Sequence, residues 1–154
     1  MKIKIIENPL IKDLEVHILC EKRNAYVEFL VSALSEKSII INGKLENEYT
    51  KLSSADIYYF ESVDNNTYIY CENKVYRSDL KLYELEEKLS GTEFSRINKS
   101  CIMNTSRLEK VKGQINGRLL ATLTNGEKLI INRSYVPEIK RKLKISFNRA
   151  GGTP

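Results

Sequence analysis

A single histidine, His17, stands among 154 residues. Histidine supplies many general bases and metal ligands, so one copy leaves little for either kind of site to use. Cys20 lies three residues on; in the strand expected over Glu15–Cys20 the two side chains point to opposite faces. No CxxC, HExxH, glycine-rich phosphate loop or GxSxG occurs, so familiar zinc, redox, phosphotransfer and hydrolase signatures are missing. The cysteines, Cys20, Cys71 and Cys101, are few, odd in number and far apart. Each sits in an apolar run, which fits reduced, buried thiols better than a disulfide framework. No apolar run approaches the roughly 20 residues of a membrane span. The N-terminal MKIKIIENPL lacks the long apolar stretch and small-residue cleavage site of a signal peptide. Glu84, Glu86 and Glu87 beside Lys88 read as a solvated helix surface. These absences argue against an enzyme and against a cofactor or metal, and toward a cytoplasmic binding protein.

What the chain does have is an uneven charge. Residues 1–95 hold 12 Lys and Arg against 17 Asp and Glu, a net of −5, whereas residues 96–154 hold 13 against 3, a net of +10. Asymmetry of this kind points to a nucleic-acid or membrane surface on the basic half; the alternative is a solvated basic face without a partner. Within that half, FSRINKSCIMN reads as a strand (Phe94–Ile97), a polar basic crossing (Asn98, Lys99, Ser100) and a second strand (Cys101–Met103). Some thirty residues later, LIINRSYVPEIKRKL is an apolar strand running into Arg133 and a basic helix. Both strands deliver polar and basic residues at an end, where a loop presents them outward. A core does not need them there; a surface that grips phosphates and base edges does.

The fold class expected is mainly β with short helices, preceded by a small α/β unit over residues 1–50. In that unit Ile3–Ile6 and Glu15–Cys20 read as strands. Asn24 caps a helix to Ser35, with Tyr26, Val27, Leu30, Val31 and Leu34 at helical spacing. Ser38–Ile41 is a strand closed by Asn42-Gly43, and Lys44–Ser54 reads as a linker. About fifty residues bury little core alone, so this unit packs on the second domain or on another copy of itself. From Ile57 an antiparallel meander is expected over Ile57–Glu61, Thr67–Cys71 and Lys74–Arg77. A helix follows, capped by Ser78 or Asp79, with Leu82, Leu85 and Leu89 on one face and Ser90-Gly91 at its end. After the two strands around Asn98 come Leu108–Val111, Arg118–Leu123 and Lys128–Ile131, separated by the hairpin signals Asn116-Gly117 and Asn125-Gly126. Pro137 lies in the first turn of a last helix ending near Lys144, and residues 145–154 read as a flexible tail.

Residues 55–144 resemble the LytTR family of bacterial DNA-binding output domains. The matching segments are IYYFES, a polar Asn-containing turn, TYIYCENKVYRSDLKLYELEEKL, FSRINKSCIMN and RLLATLTNGEKLIINRSYVPEIKRKL, in the right order and spacing. The resemblance implies elongated antiparallel sheets with short helices. It also implies a domain that reads double-stranded DNA with loops in the major groove, at short direct repeats upstream of target genes. The family's contact loops map onto Asp64-Asn65-Asn66; onto Asn98, Lys99 and Ser100 with Arg96 just before; and onto Asn132, Arg133, Ser134 and Tyr135. Asn pairs well with adenine, Arg with guanine or phosphate, Lys with the backbone. Many members carry His near the position of Asn98, and Asp64 in the first loop faces phosphate with the wrong sign. About fifty N-terminal residues are too few for a receiver domain. Direct repeats imply two copies side by side, hence a homodimer, and stand-alone members often work with a membrane-protein regulator.

Other readings stay open on the residues alone. Asn65 and Asn66 also suit a turn with left-handed backbone. Arg96 also suits a surface pair with Glu93 or Glu109. Tyr135 suits core packing for the last helix. At the level of function, the rivals are a protein–protein interaction module binding an acidic partner and an RNA-binding β protein; the scarcity of aromatics beside Asn98 and Arg133 favours duplex DNA over RNA.

Overall fold

The computed structural model describes residues 1–12, 14–34 and 39–145. The chain divides into two compact units, Met1–Lys37 and Ser38 onward. The first holds one helix, α1 (Ala25–Leu34). Asn24 caps it as expected: its Oδ1 accepts from the Val27 N–H at 3.0 Å. The strands expected over Ile3–Ile6 and Glu15–Cys20 are absent among the described residues, because no partner strand is there to take their backbone hydrogen bonds. Val27 is the buried side chain of α1, while Tyr26, Phe29 and Leu34 are exposed, as are Ile3, Ile5, Leu10 and Leu19. Cys20 is exposed too, against the expectation of a buried thiol.

The second unit is built on a seven-stranded antiparallel sheet in the order β2-β1-β5-β4-β3-β7-β6. Its strands are β1 (Ile40–Leu45), β2 (Glu48–Ser53), β3 (Ile57–Val63), β4 (Asn66–Cys71), β5 (Val75–Ser78), β6 (Phe94–Asn98) and β7 (Cys101–Asn104). The boundary expected at residue 50 therefore falls inside β2. Asn42-Gly43 does not turn the chain but continues β1, and the segment expected as a linker is a hairpin. The turn sits at Glu46-Asn47, with φ of 50° and 66°. Gly43 is needed for close approach: a Cβ there would lie 2.7 Å from Leu52 Cδ1 and 2.8 Å from Tyr76 Cβ. The meander β3-β4-β5 stands as read.

The pleat sends alternate residues to two cores. On one face Ile41, Phe60, Ile69, Tyr76 and Ile102 pack against Leu82, Leu85 and Leu89, from and just beyond α2 (Leu82–Lys88). That helix starts later than expected: the Lys81 N–H donates to Glu84 Oε1 at 3.1 Å, while Ser78 Oγ accepts from the Leu80 N–H. On the other face Tyr59, Ile97, Cys101 and Met103 meet a second sheet. It has the order β10-β9-β8, formed by β8 (Leu108–Gly113), β9 (Leu119–Leu123) and β10 (Lys128–Ile131). Val136 and Ile139 of α3 (Val136–Leu143) join the same core. Cys101 is buried there, and desolvation, with the nearby Glu61 charge, pushes its thiol up to about 12. Cys71 is half-buried, and burial raises its thiol as well. The tail expected over 145–154 lies, beyond Ile145, outside the described residues.

Candidate nucleic-acid interface

Three turns meet along one edge of the second unit, and backbone pairing draws them together. β3 runs beside β7, so the Ser62 N–H donates to the Ser100 carbonyl at 2.8 Å. The Asn132 N–H donates to the Ile97 carbonyl at 2.9 Å, which brings the end of β10 beside the end of β6. Asn98 Nδ2 donates to the Ile130 carbonyl at 3.2 Å and closes the same junction. The β3–β4 turn, the β6–β7 turn and the segment after β10 thus share an edge.

In the first turn Asp64 and Asn65 have left-handed backbone, with φ of 50° and 64°, so both serve as turn residues. Asn66 begins β4. Its Oδ1 accepts from Arg77 Nη2, and its Nδ2 donates to the Asp64 carbonyl at 3.3 Å. Lys81 Nζ donates to the Asn65 carbonyl at 2.6 Å. The turn is therefore braced by two cations that the sequence reading passed over. Register would have found Arg77: it faces Tyr68 across β4 and β5, and Asn66, two residues before Tyr68, shares that face and lies diagonally from Arg77.

The second turn spends most of its polar groups on itself. Asn98 Oδ1 accepts from the Ser100 N–H at 2.9 Å and from Ser100 Oγ at 3.0 Å. With Nδ2 on Ile130, the amide has both its ends engaged. Arg96 is not paired with Glu93 or Glu109. Its Nε donates to the Asn98 carbonyl at 2.9 Å, its Nη2 to the Lys99 carbonyl, and its Nη1 to Glu86 Oε2 on α2 at 2.8 Å. Lys99 is exposed at the tip, and among the described residues its ammonium has no polar partner.

The third segment is the most open. Asn132 is half-buried and its carbonyl accepts from the Tyr135 N–H at 2.9 Å, starting a 3-10 turn over Arg133–Tyr135. Tyr135 packs against the second core. α3 then holds the segment from its far side: Lys142 Nζ donates to the Thr92 and Phe94 carbonyls at 3.1 and 2.5 Å, in surroundings whose desolvation lowers its pKa. Arg133 and Ser134 are exposed. The stem of Arg133 lies over Gly117, where a Cβ would come within 3.0 Å of Arg133 Cδ. Gly117 and Asn116 have φ of 75° and 74°. Arg118, expected inside a strand, is left in this turn and exposed. Lys99, Arg133 and Arg118 are thus exposed cations on braced backbone whose heads have no polar partner among the described residues, chemistry that suits phosphate oxygens and the acceptor edge of guanine.

The LytTr DNA-binding domain family matches residues 47–144. The sensory transduction protein LytT of Enterococcus faecalis is 32% identical over 101 residues, 66% of this chain. The chain spans 42% of the length of that relative. An uncharacterized HTH-type transcriptional regulator of Staphylococcus aureus is 28% identical over 147 residues, 94% of this chain and 99% of the relative. A solved LytTr DNA-binding domain from Bacillus cereus has the same fold, with a TM-score of 0.66 at 23% identity over 71% of this chain and 99% of that domain. The HTH label does not describe the present fold. Five strands separate α1 from α2 and five more separate α2 from α3, so the described residues contain no helix-turn-helix. With its two antiparallel sheets, its turns gathered at one edge and a match over residues 47–144, the chain belongs to the LytTr DNA-binding domain family.

Proposed function

We propose that this protein is a transcription regulator that reads direct-repeat promoter sites on double-stranded DNA through its edge loops in the major groove. DNA-binding transcription regulation is what its family and relatives carry; the sites, the loops and their residues are our reading. The observation that supports it most is the contrast between bound and free cations at the edge. Arg96, Arg77 and Lys81 are engaged within the protein, while Lys99 and Arg133 are exposed. In this reading Arg133 and Ser134 meet bases or phosphates and Lys99 meets the backbone. Asn66, Arg96, Asn98, Ser100 and Asn132 hold the loops, with Ser100 and Asn132 near enough to add contacts of their own. The reading has no catalytic step and no cofactor, and the protein acts where the DNA is, in the cytoplasm. Among the described residues no exposed aromatic flanks Lys99 or Arg133, which favours a duplex over single-stranded RNA.

The exposed apolar side chains of residues 1–37 support a homodimer formed through that unit, which would set two copies on adjacent repeats. A membrane-protein regulator as a further partner rests on resemblance to stand-alone family members. The test is selection of bound duplexes from a random pool, followed by footprinting. Enrichment of a sequence with two equally oriented, adjacent protected sites is expected; failure to enrich any duplex over scrambled competitor would overturn the reading. Deleting residues 1–37 is expected to leave a folded chain that binds a single repeat and loses cooperativity on two. Undiminished cooperativity would sink the dimer role.

A further inference from the structure

We infer that Arg96 and Glu86 form a clasp that positions the 98–100 turn, so that α2, which lies away from the contact edge in sequence and packs on the opposite core, sets how well the turn reads DNA. The inference deepens the DNA-binding reading above and rests on it. Arg96 is basic and adjoins the turn, which on sequence alone suits a contact to DNA. Its geometry gives it different work. The Arg96 side chain is only 21% exposed, and its donors are directed at three acceptors of this chain. Two are the carbonyls of Asn98 and Lys99, which lie on either side of the peptide that carries the exposed lysine. The third is Glu86 Oε2 at 2.8 Å, on a helix locked to the core by Leu82, Leu85 and Leu89. A guanidinium is a planar fork that holds several acceptors in fixed relation. Here it bridges a rigid helix to the tip of a turn. β6 and β7 change register between Arg96 and Asn98, so the strand ladder is irregular at the point where the clasp acts. α2 also lies beside the first turn through Lys81, whose Nζ reaches the Asn65 carbonyl.

A phosphate contact and a clasp differ in what Glu86 does. If Arg96 reaches DNA, removing the Glu86 carboxylate frees it and removes a repelling charge, so Glu86→Ala binds every duplex as tightly or more tightly. If Arg96 positions the turn, Glu86→Ala weakens binding to the selected duplex while scrambled DNA is held no less tightly. Full-length wild type, Glu86→Ala, Arg96→Ala and the double variant are titrated with a duplex selected by the wild type and with its scrambled version at several salt concentrations. Expected is a loss of about tenfold in the preference of Glu86→Ala, on the order of one weakened base contact, here that of the Ser100 hydroxyl oxygen carried by the same turn. The salt slope should stay unchanged in Arg96→Ala, where a lost phosphate contact would reduce it by about one. The double variant should be little worse than Arg96→Ala alone, as for two residues acting as a unit. Amide exchange at Lys99 and Ser100, measured without DNA, is expected to quicken in Glu86→Ala while exchange in β9 is unchanged. Undiminished preference with unchanged exchange at Lys99 and Ser100 overturns the clasp. Wild type that fails to distinguish the two duplexes overturns the DNA-reading proposal instead, and the exchange measurement then decides the clasp by itself.

Discussion

The chain makes the same corner twice. In Asn98-Lys99-Ser100 the Asn amide accepts from the N–H and hydroxyl of Ser100 and donates to the Ile130 carbonyl. In Asn104-Thr105-Ser106 it accepts from the N–H and hydroxyl of Ser106, at 3.0 and 2.6 Å, and donates to the Ile57 carbonyl at 2.8 Å. Both are Asx-type turns in which a side chain stands in for a strand partner. The middle residue differs. Thr105 is buried, with its hydroxyl donating to the Glu93 carbonyl at 2.6 Å; Lys99 is exposed. One corner is wholly structural and lies deep in the fold, with Asn104 at 1% exposure. The other uses the same scaffold to hold a cation outward. The comparison teaches that the Asn side chain frames such a turn, and that where the corner lies at the surface the residue after it faces outward.

Removing each frame is the strongest way to break the comparison. Asn104→Ala is expected to cost about 3 kcal/mol of folding stability, because it strands a buried carbonyl and a turn N–H. Asn98→Ala, half-buried, should cost about 2 kcal/mol by the same mechanism. Denaturant unfolding of both measures this. If Asn98→Ala keeps full stability and loses only DNA binding, the two corners are not equivalent and Asn98 reads a base. Gly117→Ala comes next. Its left-handed backbone and the Arg133 stem above it predict about 1 kcal/mol of destabilisation, together with weakened DNA binding through a displaced guanidinium. A similar destabilisation with unchanged binding would show that the stem of Arg133 need not lie there. Lys99→Ala should have the smallest effect: no loss of stability, equal weakening on all sequences and a salt slope reduced by about one. Preference changed at one position of the site would mean that Lys99 reads a base edge.

Much of the fold is legible in the sequence. The meander, the Leu82, Leu85, Leu89 face and the two strands around Asn98 followed from alternation, helical spacing and turn residues. What was not legible depended on register. Whether Asn42-Gly43 turned the chain or continued it was decided by Tyr76 and Leu52 pressing on the glycine from neighbouring strands, contacts that no local pattern encodes. The N-terminal segments had strand-like composition but no partner to pair with. At the candidate site the sequence named segments that the fold brings to one edge, yet could not separate the arginine that holds the turn from the one that is exposed. Arg96 and Arg133 each stand one polar residue beyond an apolar strand residue, Phe94 and Ile131. Glu86, ten residues upstream on a packed helix, and the Asn98 and Lys99 carbonyls distinguish them.

In the proposed reading the exposed cation after β10, Arg133, makes the direct contact with DNA, rather than the engaged Arg96 before the β6–β7 turn. A binding titration of Arg133→Ala against the selected and scrambled duplexes, over a range of salt and with folding checked by unfolding midpoint, tests it most directly. Expected are an unchanged midpoint, with a loss of about 1–3 kcal/mol on the selected duplex and relaxed preference at one position if Arg133 reads a base, or a slope reduced by about one if it meets phosphate. Unchanged affinity, preference and slope in a fully folded Arg133→Ala would contradict it.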